Sequence, residues 1–200
     1  MQNKKDLILN NIKDNRIKQA FLKIPREMFI PKRLRDMAYN DCALPIKGGQ
    51  TISQPSLVLQ MIELLNPQKN DVVLEIGTGS GYNAALLSLL VNKVYTIERI
   101  NILYKDAKKR FEKLNIKNVT PLRKNGVFGD VKHSPFDKII ITAATDKIPD
   151  KLIAQLKNNG IMLLPLGNAY IQSLVRCTKL KEKLKIEKFG FVNFVPLITR

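Results

Sequence analysis

The stretch Val72-Val73-Leu74-Glu75-Ile76-Gly77-Thr78-Gly79-Ser80-Gly81 constrains this 200-residue chain more than any other. Val72–Ile76 is apolar and largely β-branched apart from Glu75, the composition of a central parallel strand covered on both faces. Gly77, Gly79 and Gly81 alternate with Thr78 and Ser80. Glycine admits positive φ and lets backbone approach a ligand where a Cβ would clash. Over residues 83–90 the apolar side chains of Ala84, Ala85, Leu86, Leu87 and Leu90 recur at helical spacing. The glycines therefore mark a strand-to-helix turn whose free amides can receive a polar ligand. A second strand, Val94-Tyr95-Thr96-Ile97-Glu98, follows and ends on a carboxylate.

Two details narrow the ligand. Dinucleotide sites read G-x-G-x-x-G with a pyrophosphate on the helix N-terminus. Here the spacing is G-x-G-x-G, with Glu75 two positions before the first glycine. A carboxylate there suits a cationic nucleoside, S-adenosylmethionine, better than a pyrophosphate. Glu98 is placed to accept from both ribose hydroxyls. A P-loop is excluded, because no Gly-Lys-Ser/Thr follows the glycines.

The rest of the chain reads as an N-terminal helical part followed by α/β units. Residues 4–22 carry two helical patterns broken at Asp14-Asn15. Pro25 and Pro31 bracket an irregular stretch, residues 34–39 form a short helical piece, and residues 41–49 read as loop. Pro55 opens a helix running to Leu65. Further on, helices are expected over residues 103–114 and 149–156. Strands are expected over 119–122, 138–142 and 161–164, with a strand-rich tail from 172 to 198. The expectation is a doubly wound, mostly parallel Rossmann-like sheet with an N-terminal helical cap, in one domain over residues 1–200. Within it, residues 1–65 carry the cap and active-site segment and 66–200 the cofactor-binding core.

Composition removes other classes. No stretch is long and apolar enough to span a membrane, and residues 1–6 lack a signal-peptide core. Cys42 and Cys177 follow no metal spacing and fit a reducing cytoplasm. His133 is the sole histidine, so no metal site and no His-based triad is expected. The net charge of +17 comes mostly from lysines spread along the chain without aromatic interleaving. No dedicated nucleic-acid site is therefore expected. Nor does any coiled-coil seam suggest assembly, which points to a monomer.

Several segments together resemble the protein-L-isoaspartate O-methyltransferase family. They are Ile24-Pro25-Arg26-Glu27-Met28-Phe29-Ile30-Pro31, Met37-Ala38-Tyr39-Asn40-Asp41, Leu44-Pro45-Ile46, Gln50-Thr51-Ile52-Ser53-Gln54-Pro55, the glycine segment itself, Tyr95-Thr96-Ile97-Glu98-Arg99-Ile100, residues 135–144 and Phe194-Val195-Pro196-Leu197. The glycine segment is common to many methyltransferases, whereas residues 50–55 and 194–197 are far more specific.

The resemblance implies methylation of the free α-carboxylate of L-isoaspartyl residues in damaged proteins and peptides. The methyl donor would be S-adenosylmethionine and the products a methyl ester and S-adenosylhomocysteine. The ester then closes spontaneously to a succinimide that opens partly to aspartate. By position, Ser53 becomes the active-site hydroxyl that donates to the substrate carboxylate, with Thr51 a second hydroxyl in the same segment. Both could instead serve as helix caps before Pro55. Thr142, Ala143 and Ala144 would lie beside the reacting atoms, and Val195 and Pro196 would wall the peptide groove. Arg99, Asn125 and Gly126 complete the expected cofactor set.

One segment departs from the family pattern. Lys124-Asn125-Gly126 stands where Gly-Asp-Gly is usual, its Asp facing the adenine amino group. Asn125 would accept through its amide oxygen without the charge-assisted part, at a cost of about 1 kcal/mol in cofactor binding. Arg123 and Lys124 would add positive charge beside a cationic cofactor. Two other functions stay open: a nucleic-acid methyltransferase, motivated by the charge, and a non-catalytic module that binds cofactor or damaged chains.

Overall fold

The computed structural model describes residues 4–181 and 183–198; the expectations for residues 1–3, 182 and 199–200 lie outside these. The chain begins with α1 (Lys4–Leu9) and α2 (Asn15–Lys23). The break between them is a cap: the Asp14 carboxylate accepts from the Arg16 N–H at 2.8 Å, satisfying one orphan donor of α2. Two 3-10 turns, Arg26–Phe29 and Lys32–Met37, lead into β1 (Leu44–Pro45) and β2 (Thr51–Ile52). These pair antiparallel, Leu44 opposite Ile52, so the stretch expected as loop holds a small hairpin. Next comes α3 (Pro55–Leu65), with proline in its first turn as anticipated.

The α/β part runs β3 (Val72–Ile76), α4 (Tyr82–Ser88), β4 (Lys93–Glu98), α5 (Asn101–Lys113), β5 (Val119–Arg123), β6 (Phe136–Ile141), α6 (Asp150–Ala154), β7 (Leu156–Gly167), β8 (Gln172–Leu180) and β9 (Lys183–Val192). The sheet order is β5-β4-β3-β6-β7-β8-β9. The first five of these are parallel, and β8 and β9 extend the sheet as an antiparallel hairpin. The chain moves outward from β3 to β5 and then crosses to β6 on the other side. The order thus reverses at β3, and ligands of such sheets bind at the carboxyl end of that strand.

Alternation along β3 sorts its side chains between two cores. Val73 joins the core under the N-terminal helices, with Ile17, Phe21, Leu59 and Ala85. Leu74 and Ile76 join the opposite core, with Ile139, Leu152 and Met162. Glu75 lies on the Val73 side and is fully buried. Among the described residues no helix is long and apolar enough to cross a membrane.

One boundary differs from expectation for a clear reason. The helix expected over 149–156 stops at Ala154, and β7 starts at Leu156. Leu156 pairs with Phe136, and after an irregularity Ile161 pairs with Lys138. The pairing of Leu156 with β6 outweighs the local helical pattern; β8 joins the other edge only from Ile161 onward.

Candidate active site

The glycine turn at the end of β3 is stitched to β4. The N–H groups of Gly77 and Thr78 both donate to the Ile97 carbonyl, at 2.9 and 3.0 Å. Gly77, Gly79 and Gly81 have φ of 97°, 54° and 89°, so the expectation of a positive-φ turn holds. At Gly81 a Cβ would come within 2.9 Å of the Phe111 ring, and at Gly77 it would run into the Thr142 hydroxyl. That hydroxyl donates to the Gly77 carbonyl at 2.7 Å. The other hydroxyls expected at the cofactor are also engaged inside the fold. Thr78 and Thr96 share a hydrogen bond of 2.6 Å, and Ser80 Oγ accepts from the Tyr82 N–H at 3.3 Å. Thr78, Ser80 and Thr142 therefore hold the turn, and the amides of 77–79, expected to be free for a ligand, are spent on Ile97 and Glu98, so the turn lines the cavity as a tightly held wall.

A cavity of about 400 Å³ opens above this turn, lined among others by Gly77, Gly79, Glu98, Asn125 and Thr142. Glu98 ends β4 and is almost fully buried. Its Oε2 accepts from the Gly79 N–H at 2.9 Å and its Oε1 from the Ile100 N–H at 2.8 Å. A carboxylate offers about four acceptor sites, so Glu98 is held rigidly and keeps capacity for a pair of ligand hydroxyls. Arg99 lies on the cavity rim with an exposed side chain.

Glu75 differs from its expected role. Its carboxylate accepts from the Thr96 hydroxyl and, at 2.7 Å, from Asn83 Nδ2. Burial pushes its pKa up to about 7, against the lowering effect of those two hydrogen bonds. It is a partly protonated brace between β3, β4 and α4 rather than a free anion. Below about pH 4.5 the folded and unfolded chains both carry this proton. As pH rises towards 7 the unfolded chain loses it first, so stability falls by about 3 kcal/mol from this group and then levels off. Glu75→Gln lacks that loss. Urea denaturation of the cofactor-free protein should show the variant gaining on the wild type between pH 4.5 and 7; a pH-independent difference would contradict the assignment.

The loop after β5 engages two of the expected side chains inside the fold, while Asn125 still lines the cavity. Asn125 Oδ1 already accepts from the Val127 N–H at 3.1 Å, so it caps its own turn before it meets a ligand. Lys124 does not face the cavity as a free cation, since its Nζ binds Asp130 Oδ1 at 2.6 Å. The other oxygen of Asp130 meets His133 Nδ1 at 2.5 Å, and the His133 ring stacks on Tyr95 at 4.2 Å. Burial pushes the Asp130 carboxyl up, but these two partners outweigh it and hold it below the usual range. Sequence had assigned His133 no role; it braces this loop. A Cβ on Gly126 would strike Ile76, so this glycine is needed for close packing on β3.

A second cavity, about 680 Å³, adjoins the first and is lined by Leu57, Gln60, Phe189 and Phe191 among others. The two share Thr51, Ser53, Thr142, Phe194 and Val195. The helix-cap alternative for Thr51 and Ser53 fails here. The N-cap of α3 is Gln54, without a side-chain cap bond, and Asp41 does the capping from outside, accepting from the Ser56 N–H at 2.9 Å and its hydroxyl at 2.7 Å. Among the described residues the hydroxyls of Thr51 and Ser53 have no partner, and both lie at the junction.

The far wall is the segment 194–197, strapped to the end of β6. Ala144 N–H donates to Val195 O and Leu197 N–H to Ala144 O, both at 2.8 Å. Buried Gln172 clamps Phe194 from both sides, donating to its carbonyl at 3.0 Å and accepting from its N–H at 2.7 Å. Ala143 lines the first cavity. Ala144 lines neither joined cavity; it anchors the strap and faces a separate hollow. Pro196 lines the first cavity and not the second, and Val195 lines both. Asp41 and Gln172 were missed in the sequence because their partners are 15 and 22 residues away.

Residues 2–200 match the family described as Protein-L-isoaspartate(D-aspartate) O-methyltransferase (PCMT). The protein-L-isoaspartate O-methyltransferase of Thermosipho melanesiensis is 46% identical over 183 residues, 90% of this chain and 92% of that protein. That of Petrotoga mobilis is 48% identical over 189 residues, 94% of this chain and 89% of its own. Among solved structures, a protein-L-isoaspartate O-methyltransferase superposes with a TM-score of 0.87 at 30% identity, over 96% of this chain and 64% of that one. A Plasmodium falciparum protein solved with S-adenosyl-L-homocysteine superposes with a TM-score of 0.85 at 24% identity, a likeness of fold.

Proposed function

The chain belongs to the protein-L-isoaspartate(D-aspartate) O-methyltransferase family, and we propose that its two joined cavities divide the family's reaction between them. The protein is a methyltransferase of isoaspartyl residues and uses S-adenosylmethionine as methyl donor. One observation supports the division: a nucleoside-type cavity and an uncharged cavity meet at the unspent hydroxyls of Thr51 and Ser53. Residues 66–200 supply most of the first cavity and the 189–195 wall of the second, and residues 1–65 bring Thr51 and Ser53 to their junction.

The residues present suit the cofactor. Glu98 is fixed by two backbone amides and keeps acceptor capacity for ribose hydroxyls. Gly77 and Gly79, at positive φ, line the cavity without a side chain to fill it, and Asn125-Gly126 close the adenine side. When bound, the cofactor supplies a methyl group on a sulfonium, already a good leaving group. This chain has to place an acceptor in line with it and keep water out. The acceptor carboxylate is ionised at neutral pH, so no general base is needed, and Thr51, Ser53, Thr142, Phe194 and Val195 include none. Ser53 donates to one carboxylate oxygen and leaves the other for attack, with Thr51 as a second donor. Ala143 leaves room for a peptide backbone, and Val195 walls the groove. A new bond between acceptor oxygen and methyl carbon replaces the carbon–sulfur bond, and opposite charges are cancelled without a proton transfer.

The same features weigh against the nucleic-acid alternative. A nucleic-acid path needs Lys or Arg along it, and among the described residues none lining the second cavity is charged. Each chain carries both cavities whole, which supports a monomer, and its free Cys42 and Cys177 suit a reducing cytoplasm. The test is methyl transfer from labelled S-adenosylmethionine to matched isoaspartyl and aspartyl peptides. Base-labile ester on the isoaspartyl peptide alone is expected. Transfer to nucleic acid with none to either peptide would overturn the reading.

A further inference from the structure

Arg26 is fully buried, carried by the 3-10 turn Arg26–Phe29. Its Nε donates to the Ala38 carbonyl at 2.8 Å and its Nη2 to the Ser53 carbonyl at 2.7 Å. The guanidinium lies 5.0 Å from the centre of the Tyr82 ring, and Tyr82 is the first residue of α4 after the glycine turn. Among the described residues Arg26 makes no ion pair, and its Nη1 has no hydrogen-bond partner. A buried cation without a counter-charge costs free energy that a methionine of similar length would avoid. Packing alone therefore does not account for an arginine here.

What the fork holds does account for it. Ser53 sits between elements: β2 ends at Ile52 and α3 begins at Pro55, which has no N–H to give. The ladder and the helix both leave the Ser53 peptide group unanchored, and Arg26 supplies its carbonyl with a partner. A planar guanidinium fixes two acceptors in one geometry, so the Ser53 carbonyl is set relative to Ala38 on one side and to Tyr82 on the other. Arg26 thus ties the acceptor segment to the helix that starts at the cofactor turn.

We propose that Arg26 is the positioning residue of the acceptor site, its unpaired buried guanidinium holding the Ser53 peptide group so that the Ser53 hydroxyl faces the junction of the two cavities. This rests on the assignment of Ser53 above. A double-mutant cycle with Ser53→Ala tests it, read as turnover of an isoaspartyl peptide at saturating S-adenosylmethionine together with S-adenosylhomocysteine affinity by calorimetry. Arg26→Met and Arg26→Lys should each lower kcat roughly tenfold or more and change S-adenosylhomocysteine affinity less than about threefold. In the Ser53→Ala background the same changes should cost less than about threefold. Equal costs in both backgrounds, cofactor affinity falling in step with turnover, or wild-type kcat in Arg26→Lys would overturn it. Should Arg26→Met fail to fold, Arg26→Lys carries the cycle alone. A wild-type protein without isoaspartyl turnover would instead defeat the assignment of the reaction.

Discussion

Alanine at Ser53 is expected to lower kcat/KM for an isoaspartyl peptide by roughly 10- to 100-fold, the worth of one hydrogen bond to a charged group. S-adenosylhomocysteine affinity should stay within about threefold of the wild type. The separation follows from where Ser53 sits. It lies on the rim shared by the two cavities, it has no hydrogen-bond partner among the described residues, and it does not cap α3. Its removal therefore leaves the fold and the Glu98 site intact. The loss should not reach that of an acid–base residue, because the carboxylate is already ionised and only its orientation is at stake. Thr51, exposed on the same hairpin, offers a second donor, and Thr51→Ala in the Ser53→Ala background should deepen the loss. Ser53→Ala with unchanged kcat/KM would remove Ser53 from the reaction.

The second large effect is expected at Gly77. Alanine there meets two penalties. The φ of 97° lies where a Cβ is strained, and that Cβ would run into the Thr142 hydroxyl. Thr142 cannot turn away freely, since the same hydroxyl bonds the carbonyls of Ile76 and Gly77 at 3.1 and 2.7 Å. Together these should cost roughly 3 kcal/mol, seen as about a 100-fold loss of S-adenosylhomocysteine affinity or an equivalent loss of stability in denaturation. Adding Thr142→Ala should recover part of it: the steric clash goes, and the φ penalty stays. No recovery would mean that the strain lies in the backbone alone. Gly49→Ala is a useful contrast, because a Cβ there meets no described residue within 4 Å and its φ of 66° is what opposes it.

The two sites differ in how legible they were. The glycine turn is a local object. A β-branched run, three spaced glycines and a helical pattern lie within twenty residues, and each element follows from its own period. Glu98 is one strand further on, and its carboxylate is where the alternation put it. The acceptor end is not local. Ser53, Thr142 and Val195 come from segments far apart in the chain, and residues alone left Ser53 open as a helix cap; its role came from likeness to a family.

The corrections share a cause. Glu75, Thr78, Ser80 and Asn125 were read as ligand contacts because they are polar residues in a ligand motif; all four line the first cavity, with side chains already bonded inside the fold. Their hydrogen bonds go to Thr96, Asn83, Tyr82 and Val127. A buried polar group must find a partner, and which partner it finds depends on what packs over it. Lys124 looked like a charge against the cofactor until Asp130 was seen to take it.

Residue order was enough for the strand-turn-helix unit, the direction of the sheet and the class of cofactor, because hydrophobic period and glycine conformation act over a few residues. Only the folded chain decided that β8 and β9 close the sheet antiparallel, that Gln172 clamps the strap at Phe194, and that Arg26 reaches Ser53. Those facts rest on contacts between segments distant in the chain, whose partners are chosen by burial and by the demand that every buried donor and acceptor be met.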